Sequence, residues 1–226
     1  MKRLALLLLL LLGSLSCART VSTESSVLFL NIDISFRELT SLSDTIVVIP
    51  FRNSDGDISP KSGELSLDDY MIFPGKEFDD ATLAGLNKEV VEYYDDFFST
   101  WTNFLYINGS TVQFIRSNAS TFNATTTDNL LYEPDLNFEY DLSIASDVLS
   151  LVIDIEQLGY SELDSIRFAV LIFDKESSSA AGTYTDGISK TNSLLLEKNN
   201  YDYETYPQTD EVDAHFDILE WSVLVR

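Results

Sequence analysis

The chain has 226 residues, 45% hydrophobic and 23% charged, with 14 basic against 37 acidic side chains and a formal charge of −23. That composition belongs to a globular domain with a core, not to a disordered chain. So acidic a surface excludes nucleic acid and anionic lipid head groups as natural partners, since both are bound by cations, and suits solubility, cations or neutral ligands.

Met1-Lys2-Arg3 is a basic start, Leu4 to Leu12 is an unbroken apolar run, and Gly13-Ser14-Leu15-Ser16 precedes the only cysteine, Cys17. A lone cysteine rules out an internal disulfide framework. The basic opening, short apolar stretch and small residues make residues 1–16 a signal peptide. The apolar run is well short of the ~20 residues that span a bilayer as a helix. A cysteine directly after Ser16 resembles a bacterial lipoprotein signal. In that family the cysteine becomes the first mature residue and carries the lipid, so the resemblance implies lipidation at Cys17. The family's usual Leu three places before the cysteine is Ser14 here, with Leu15 one place late. Cleavage by an ordinary signal peptidase after Ser16 or Ala18 is the other reading. Loss of Lys2 and Arg3 leaves a mature charge of about −25. Residues 17–26 then read as a polar tether, and residues 27–226 as a single domain.

Val27 to Phe36 alternates, with Leu28, Leu30, Ile32, Ile34 and Phe36 on one face, which is the mark of a half-buried strand. Thr45 to Phe51 (TIVVIPF) is a second strand. Pro50 lacks an N–H for a ladder and so predicts an edge or a strand end. Asn53 to Asp69 is a loop rich in Asp, Gly, Ser and Pro. Within it Asn53, Asp55 and Asp57 place oxygen ligands at alternate positions, and Glu64 falls where the twelfth-position Glu of a calcium loop would. Ile58 stands in place of that loop's glycine, Lys61 lies within it, and a strand precedes it. A plain acidic turn is the competing reading. A structural calcium is the one cofactor the sequence suggests.

Residues 79–99 change period: Leu83, Leu86, Val90, Tyr94, Phe97 and Trp101 recur at three- and four-residue steps. That predicts an amphipathic helix over about 80–99. Trp101 to Asn108 (WTNFLYIN) returns to strand, Asn108-Gly109 signals a hairpin, and Thr111 to Ile115 is the returning strand. Ser117 to Asn129 is a polar loop. Leu136 to Leu142 is a strand with Leu136, Phe138 and Tyr140 on one face. In Val148 to Asp174, Leu149, Leu151, Ile153 and Ile155 alternate with outward residues, and Gly159 with SELDS makes a turn. Ile166 to Phe173 is apolar on both faces apart from Arg167, as in a strand covered on both sides. Glu176 to Gly187 and Glu197 to Asp213 read as long excursions, and Phe216 to Val225 closes the chain as a strand. About eight or nine strands and one helix make an all-β, two-sheet, jelly-roll-like sandwich.

The succession NFLYING, LNFEYDL, VLSLVIDIEQLG and SIRFAVLIFD, with Leu158-Gly159 at a corner and Asp174 near the next strand's end, resembles the later part of DOMON-like domains. It is similar also to the family 9 carbohydrate-binding modules. The likeness covers roughly residues 101–175. It implies a jelly-roll-like sandwich that binds sugars or, in some members, haem. Haem needs an axial ligand, and the chain offers one histidine, His215, and two methionines, one of them Met1. Sugar is therefore the expectation.

Catalysis finds little support. There is no G-x-S-x-G, H-E-x-x-H, P-loop or G-x-G-x-x-G. Asp213, His215 and Asp217 would share a face if extended, but no second histidine joins them, and a surface histidine beside carboxylates is the plainer reading. The pairs Asp68-Asp69, Asp79-Asp80 and Asp95-Asp96 could serve a glycosidase, yet pairs arise by chance among 37 acids. The segment KNNYDYETYPQTDE combines flat aromatic faces, Tyr201, Tyr203 and Tyr206, with the carboxylates Asp210 and Asp213. Rings stack on sugar C–H faces and carboxylates accept hydroxyl hydrogens. The competing reading is a solvated loop whose tyrosines fold back on the sandwich. Trp101 and Trp221 sit in apolar patterns and read as core.

The expectation is a non-catalytic, lipid-anchored lipoprotein of the bacterial envelope, outside the cytoplasm, with a carbohydrate-binding-like sandwich. Its partners would be the membrane, through the lipid, and a glycan or an envelope protein. The alternatives are a structural or assembly lipoprotein with no small ligand and, further off, a glycoside hydrolase. Plain secretion is the other location.

Overall fold

The computed structural model describes residues 27–39, 41–53, 57–58, 70–72, 100–116, 137–175, 181–189, 193–208, 214 and 216–226. Among these the chain is all-β, with twelve strands in two antiparallel sheets that share one core. The five-stranded sheet runs in the order β11 (Tyr201–Thr205), β12 (Ile218–Val225), β1 (Phe29–Phe36), β7 (Val148–Asp154) and β6 (Tyr140–Ala145). The other runs β3 (Tyr70–Ile72), β9 (Ala181–Ser189), β8 (Ser165–Lys175), β2 (Thr45–Asn53), β4 (Asn103–Asn108) and β5 (Thr111–Arg116), and β10 (Leu194–Leu195) pairs with the start of β8. The chain passes between sheets after β1, β5, β7 and β10, which is the winding of a jelly-roll-like sandwich.

The alternation in β1 fixes which face is inside. Leu30, Ile32 and Ile34 are fully buried, while Asn31, Asp33 and Ser35 are half-exposed. In register, the buried row faces Val225, Val223 and Trp221 on β12 and Ile153, Leu151 and Leu149 on β7. A one-residue slip of either neighbour would turn its apolar row to water, so the core holds the register. Opposite stands the inner row of β8, Ile166, Phe168, Val170 and Ile172. Leu151, Ile153, Phe168, Val170 and Ile172 are each at most 1% exposed. Each such side chain contributes ~1.5–3 kcal/mol relative to exposure. The β8 residues Ala169, Leu171 and Phe173, on the sheet's other face, are buried as well, as the doubly apolar pattern required. Trp101 and Trp221 are core residues.

Several boundaries differ from the sequence expectations. Pro50 is neither at an edge nor at a strand end: β2 lies between β8 and β4. The ladder to β4 runs through Ile49 and Pro50, whereas the ladder to β8 lapses at those two residues. A central strand thus accommodates the missing N–H with a local gap. The β4–β5 hairpin, by contrast, ends its first strand at Asn108 and resumes at Thr111 as expected; these two residues pair and the turn is Gly109-Ser110, with Gly109 at φ 62°. Strand β6 begins at Tyr140, later than expected. It enters β7 through Ser146-Asp147, whose φ values of 52° and 68° are those of a type I′ turn. Phe138, ahead of β6, stacks on Phe114 and Tyr140.

The two excursions hold strands β9 and β11. Neither AGTYTDGIS nor YDYET carries an apolar alternation. They are strands because β8 and β12 offer them an edge, so the count exceeds the eight or nine expected. The expected helix over about 80–99 lies outside the described residues. Among the described residues no helix is long and apolar enough to cross a membrane.

Candidate functional site

Strand β11 is the outer strand of the five-stranded sheet. Tyr201 pairs with Leu224 and Tyr203 with Ser222, so both rings stand on the sheet's outer face. They are 55% and 59% exposed. Their centroids lie 5.8 Å apart and their planes are inclined by 25°. The two rings are near-parallel, stacked and open to solvent.

The strand that carries the rings is held at both ends. Asn199 N donates to Val225 O at 2.6 Å, Val225 N to Asn200 O at 2.9 Å, and Tyr206 N to Leu219 O at 2.8 Å. Asn199 sits at φ 67°, a left-handed conformation that Asn tolerates better than most residues. Asp202 Oδ1 accepts the N–H of Tyr203 at 2.9 Å. That N–H points away from β12, and its capture by a carboxylate blunts the edge against an added strand.

Tyr206 stands apart from the pair. It is half-buried against the core, and its hydroxyl accepts the indole N–H of Trp221 at 3.0 Å. Burial above all pushes its pKa up. Of the three tyrosines, then, the fold brings Tyr201 and Tyr203 together and uses Tyr206 in packing. Asp210, Asp213 and His215 lie outside the described residues.

The face beside the rings was not legible as a site in the sequence. Register carries it across the sheet: Tyr203 leads to Ser222, Asp33, Ser150 and Ser143, and Tyr201 to Leu224, Asn31, Val152 and Asp141. With the tyrosines these residues come from five strands, and each polar one alone is only the outward partner of an apolar alternation. The five strands contain no Lys or Arg. Asp33, Asp141, Asp154 and Glu220 stand on the outward positions.

A second cluster of acids joins the two sheets. Asp186 of β9 accepts the N–H of Ile218 at 2.8 Å and that of Gly187 at 2.7 Å. Burial raises its pKa, the two N–H bonds oppose the rise, and the charge of Asp217 adds to it. Asp217 is 1% exposed, its Oδ2 lies 3.4 Å from Arg37 Nε, and its carbonyl accepts Arg37 N–H. Asp217 is thus fixed in a buried ion pair, a structural role for one member of the Asp213, His215, Asp217 set.

Asp57, of the suggested calcium loop, lies with its Oδ1 2.5 Å from Arg167 Nη1, and its carbonyl accepts Arg52 Nη1 at 2.6 Å. Two guanidinium groups therefore supply positive charge where that reading would put a cation. Asn53 ends β2 opposite Ile166, and Asp55 and Glu64 lie outside the described residues, as does Cys17. Among the described residues no group of three or more His, Cys, Asp or Glu is placed to hold a metal ion.

No protein-family model matches the chain, and neither a curated protein nor a solved structure matches it.

Proposed function

We propose that this chain is a non-catalytic, carbohydrate-binding lipoprotein, held outside the cytoplasm at a bacterial membrane by lipid on Cys17. The observation that carries the binding half is the exposed, near-parallel pair of Tyr201 and Tyr203 on a strand fixed at both ends. Exposed rings on a rigid strand meet the apolar C–H face of a sugar without first being ordered, which lowers the cost of association. The sheet's carboxylates and hydroxyls can accept and donate to sugar hydroxyls, and a sheet without cations favours a neutral glycan over an anionic one. The anchoring half rests on the signal-like run that ends directly before Cys17. The sandwich itself accords with the likeness of residues 101–175 to the sugar-binding sandwiches.

A glycan array on the mature domain, followed by calorimetry on the hits, tests the binding half. Tyr201→Ala with Tyr203→Ala should abolish binding and leave the melting temperature nearly unchanged, since both rings are exposed. Wild-type affinity in that double variant would move the site elsewhere. No binder in a broad neutral panel would favour an envelope assembly lipoprotein without a small ligand, and turnover of a bound glycan would favour a hydrolase. Intact-mass analysis of the membrane fraction should find diacylglyceryl-modified Cys17, and soluble, lipid-free protein starting at Arg19 would overturn the anchor.

A further inference from the structure

The ring pair accounts for one end of the outer face, and Asn31 marks its middle. Asn31 lies on β1, two strands in from the tyrosines, in the row Tyr201, Leu224, Asn31. It is half-buried, and its Oδ1 is shut in without a hydrogen-bond partner among the described residues. An amide oxygen so placed is unusual, because a buried acceptor without a donor loses its water for nothing in return. Rotation about the last side-chain bond exchanges the oxygen for the NH₂ group, so either end of the amide can be turned outward. Asp33 is the next outward residue on the same strand, and Ser222 and Ser150 are its neighbours to either side.

We propose, resting on the carbohydrate-binding reading, that the glycan is a linear neutral chain lying across the strands. One sugar stacks on Tyr201 and Tyr203, and those that follow cross β12 onto β1 and β7. Asn31 and Asp33 then bind the second or third sugar: the end of the amide turned outward bonds to a hydroxyl, as donor or as acceptor, and the carboxylate accepts hydroxyl hydrogens. Three observations meet here. Adjacent strands lie ~4.8 Å apart, a step comparable to one pyranose in an extended chain, so each strand meets about one sugar. The outward side chains between Tyr203 and Ser143 are Ser222, Asp33 and Ser150, short enough for a flat ligand to lie on the sheet. The sheet has no Lys or Arg, so a uronate or sulfated chain would be repelled by Asp33, Asp141 and Glu220.

The test uses the full mature protein and calorimetry with neutral β-1,4-linked gluco-, manno- and xylo-oligosaccharides, from monosaccharide to hexamer, and an oligogalacturonate as the anionic control. Affinity should rise with length to about the tri- or tetrasaccharide and then level off, as the sheet's width is used up. Asn31→Ala and Asp33→Ala should each weaken tetrasaccharide binding about tenfold, as loss of a charged or shut-in hydrogen-bond partner does. They should leave monosaccharide affinity unchanged. Tetrasaccharide binding that Tyr201→Ala abolishes, but that both β1 variants keep, would overturn this inference and leave the carbohydrate reading standing. Equal affinity at every length would do the same, as would tighter binding of the oligogalacturonate. No binding of any neutral oligomer would overturn both.

Discussion

Phe168→Ala perturbs the point at which the two sheets meet. Phe168 is 1% exposed on the inner row of β8. Its ring lies edge-on to Trp221 of the other sheet, centroids 5.1 Å apart at 81°, and 6.4 Å from the ring of Phe51 on the neighbouring strand. Truncation of a buried Phe costs ~3–5 kcal/mol, the spread depending on how far the site can collapse. Collapse is restricted here, since the ring's neighbours sit on paired β2 and β12 backbones whose register the rest of the core fixes. Loss of the edge-to-face contact adds ~0.5–1.5 kcal/mol, so the upper half of the range, about 4–5 kcal/mol, is expected. A domain of this size has a total stability of ~5–15 kcal/mol. The substitution therefore removes roughly a quarter or more of it and should lower the melting temperature by about 8–20 °C. Urea unfolding followed by Trp fluorescence should show a lower midpoint with an unchanged slope, as expected for a variant that stays two-state. A cost under about 1 kcal/mol is what exposed sites give, and it would refute the placement of Phe168 between the sheets.

Other outcomes follow from the polar joints. Tyr206→Phe removes the acceptor of the Trp221 indole N–H, so it should cost about 1–3 kcal/mol in unfolding experiments, while glycan affinity stays at the wild-type value. A loss of affinity equal to that of the Tyr201→Ala, Tyr203→Ala variant would put Tyr206 in the binding surface after all. The Asp186 carboxyl is raised above its ordinary value of 3.8, so the fold favours its protonated form. Its contribution to stability is full below that value and is lost as pH rises through the raised one. The difference in unfolding free energy, Asp186→Asn minus wild type, should therefore grow in favour of the variant as pH rises above about 4. A flat difference would mean that the carboxyl ionises as freely as in the unfolded chain. Finally, a charge of −23 repels itself in the compact state. Sodium chloride, which shortens that repulsion to ~8 Å at physiological strength, should raise the melting temperature, and a fall would mean that specific ion pairs outweigh the general repulsion.

The legible strands were those that bury one apolar row or two. β1, β7 and β8 announce themselves because Leu30, Ile32, Leu151, Ile153 and Phe168 must leave water together, and a period of two is the only backbone that lets them. β9 and β11 were hidden because their residues carry no such row. Tyr201-Asp202-Tyr203-Glu204-Thr205 is mostly exposed and would be loop by composition. Of the candidate site, the sequence singled out Tyr201 and Tyr203 as flat aromatic faces, since that needs only their composition. It could not separate Tyr206 from them, because the partner of Tyr206, Trp221, is fifteen residues away in the chain.

By itself, then, the sequence determined the sandwich class, the identity of the core and the sign of the surface, each written in local alternation or in a sum over residues. Which residues share a surface was decided only by the tertiary structure. Asn31, Asp33, Ser150, Ser222 and the tyrosines come within one face because antiparallel pairing sets β1 between β7 and β12 and adds β11 outside them. That order is fixed by the packing of the buried rows on the other side of the same sheet. A polar residue's position on the outer face is thus a consequence of apolar contacts it does not make, and no window of sequence around it contains that information.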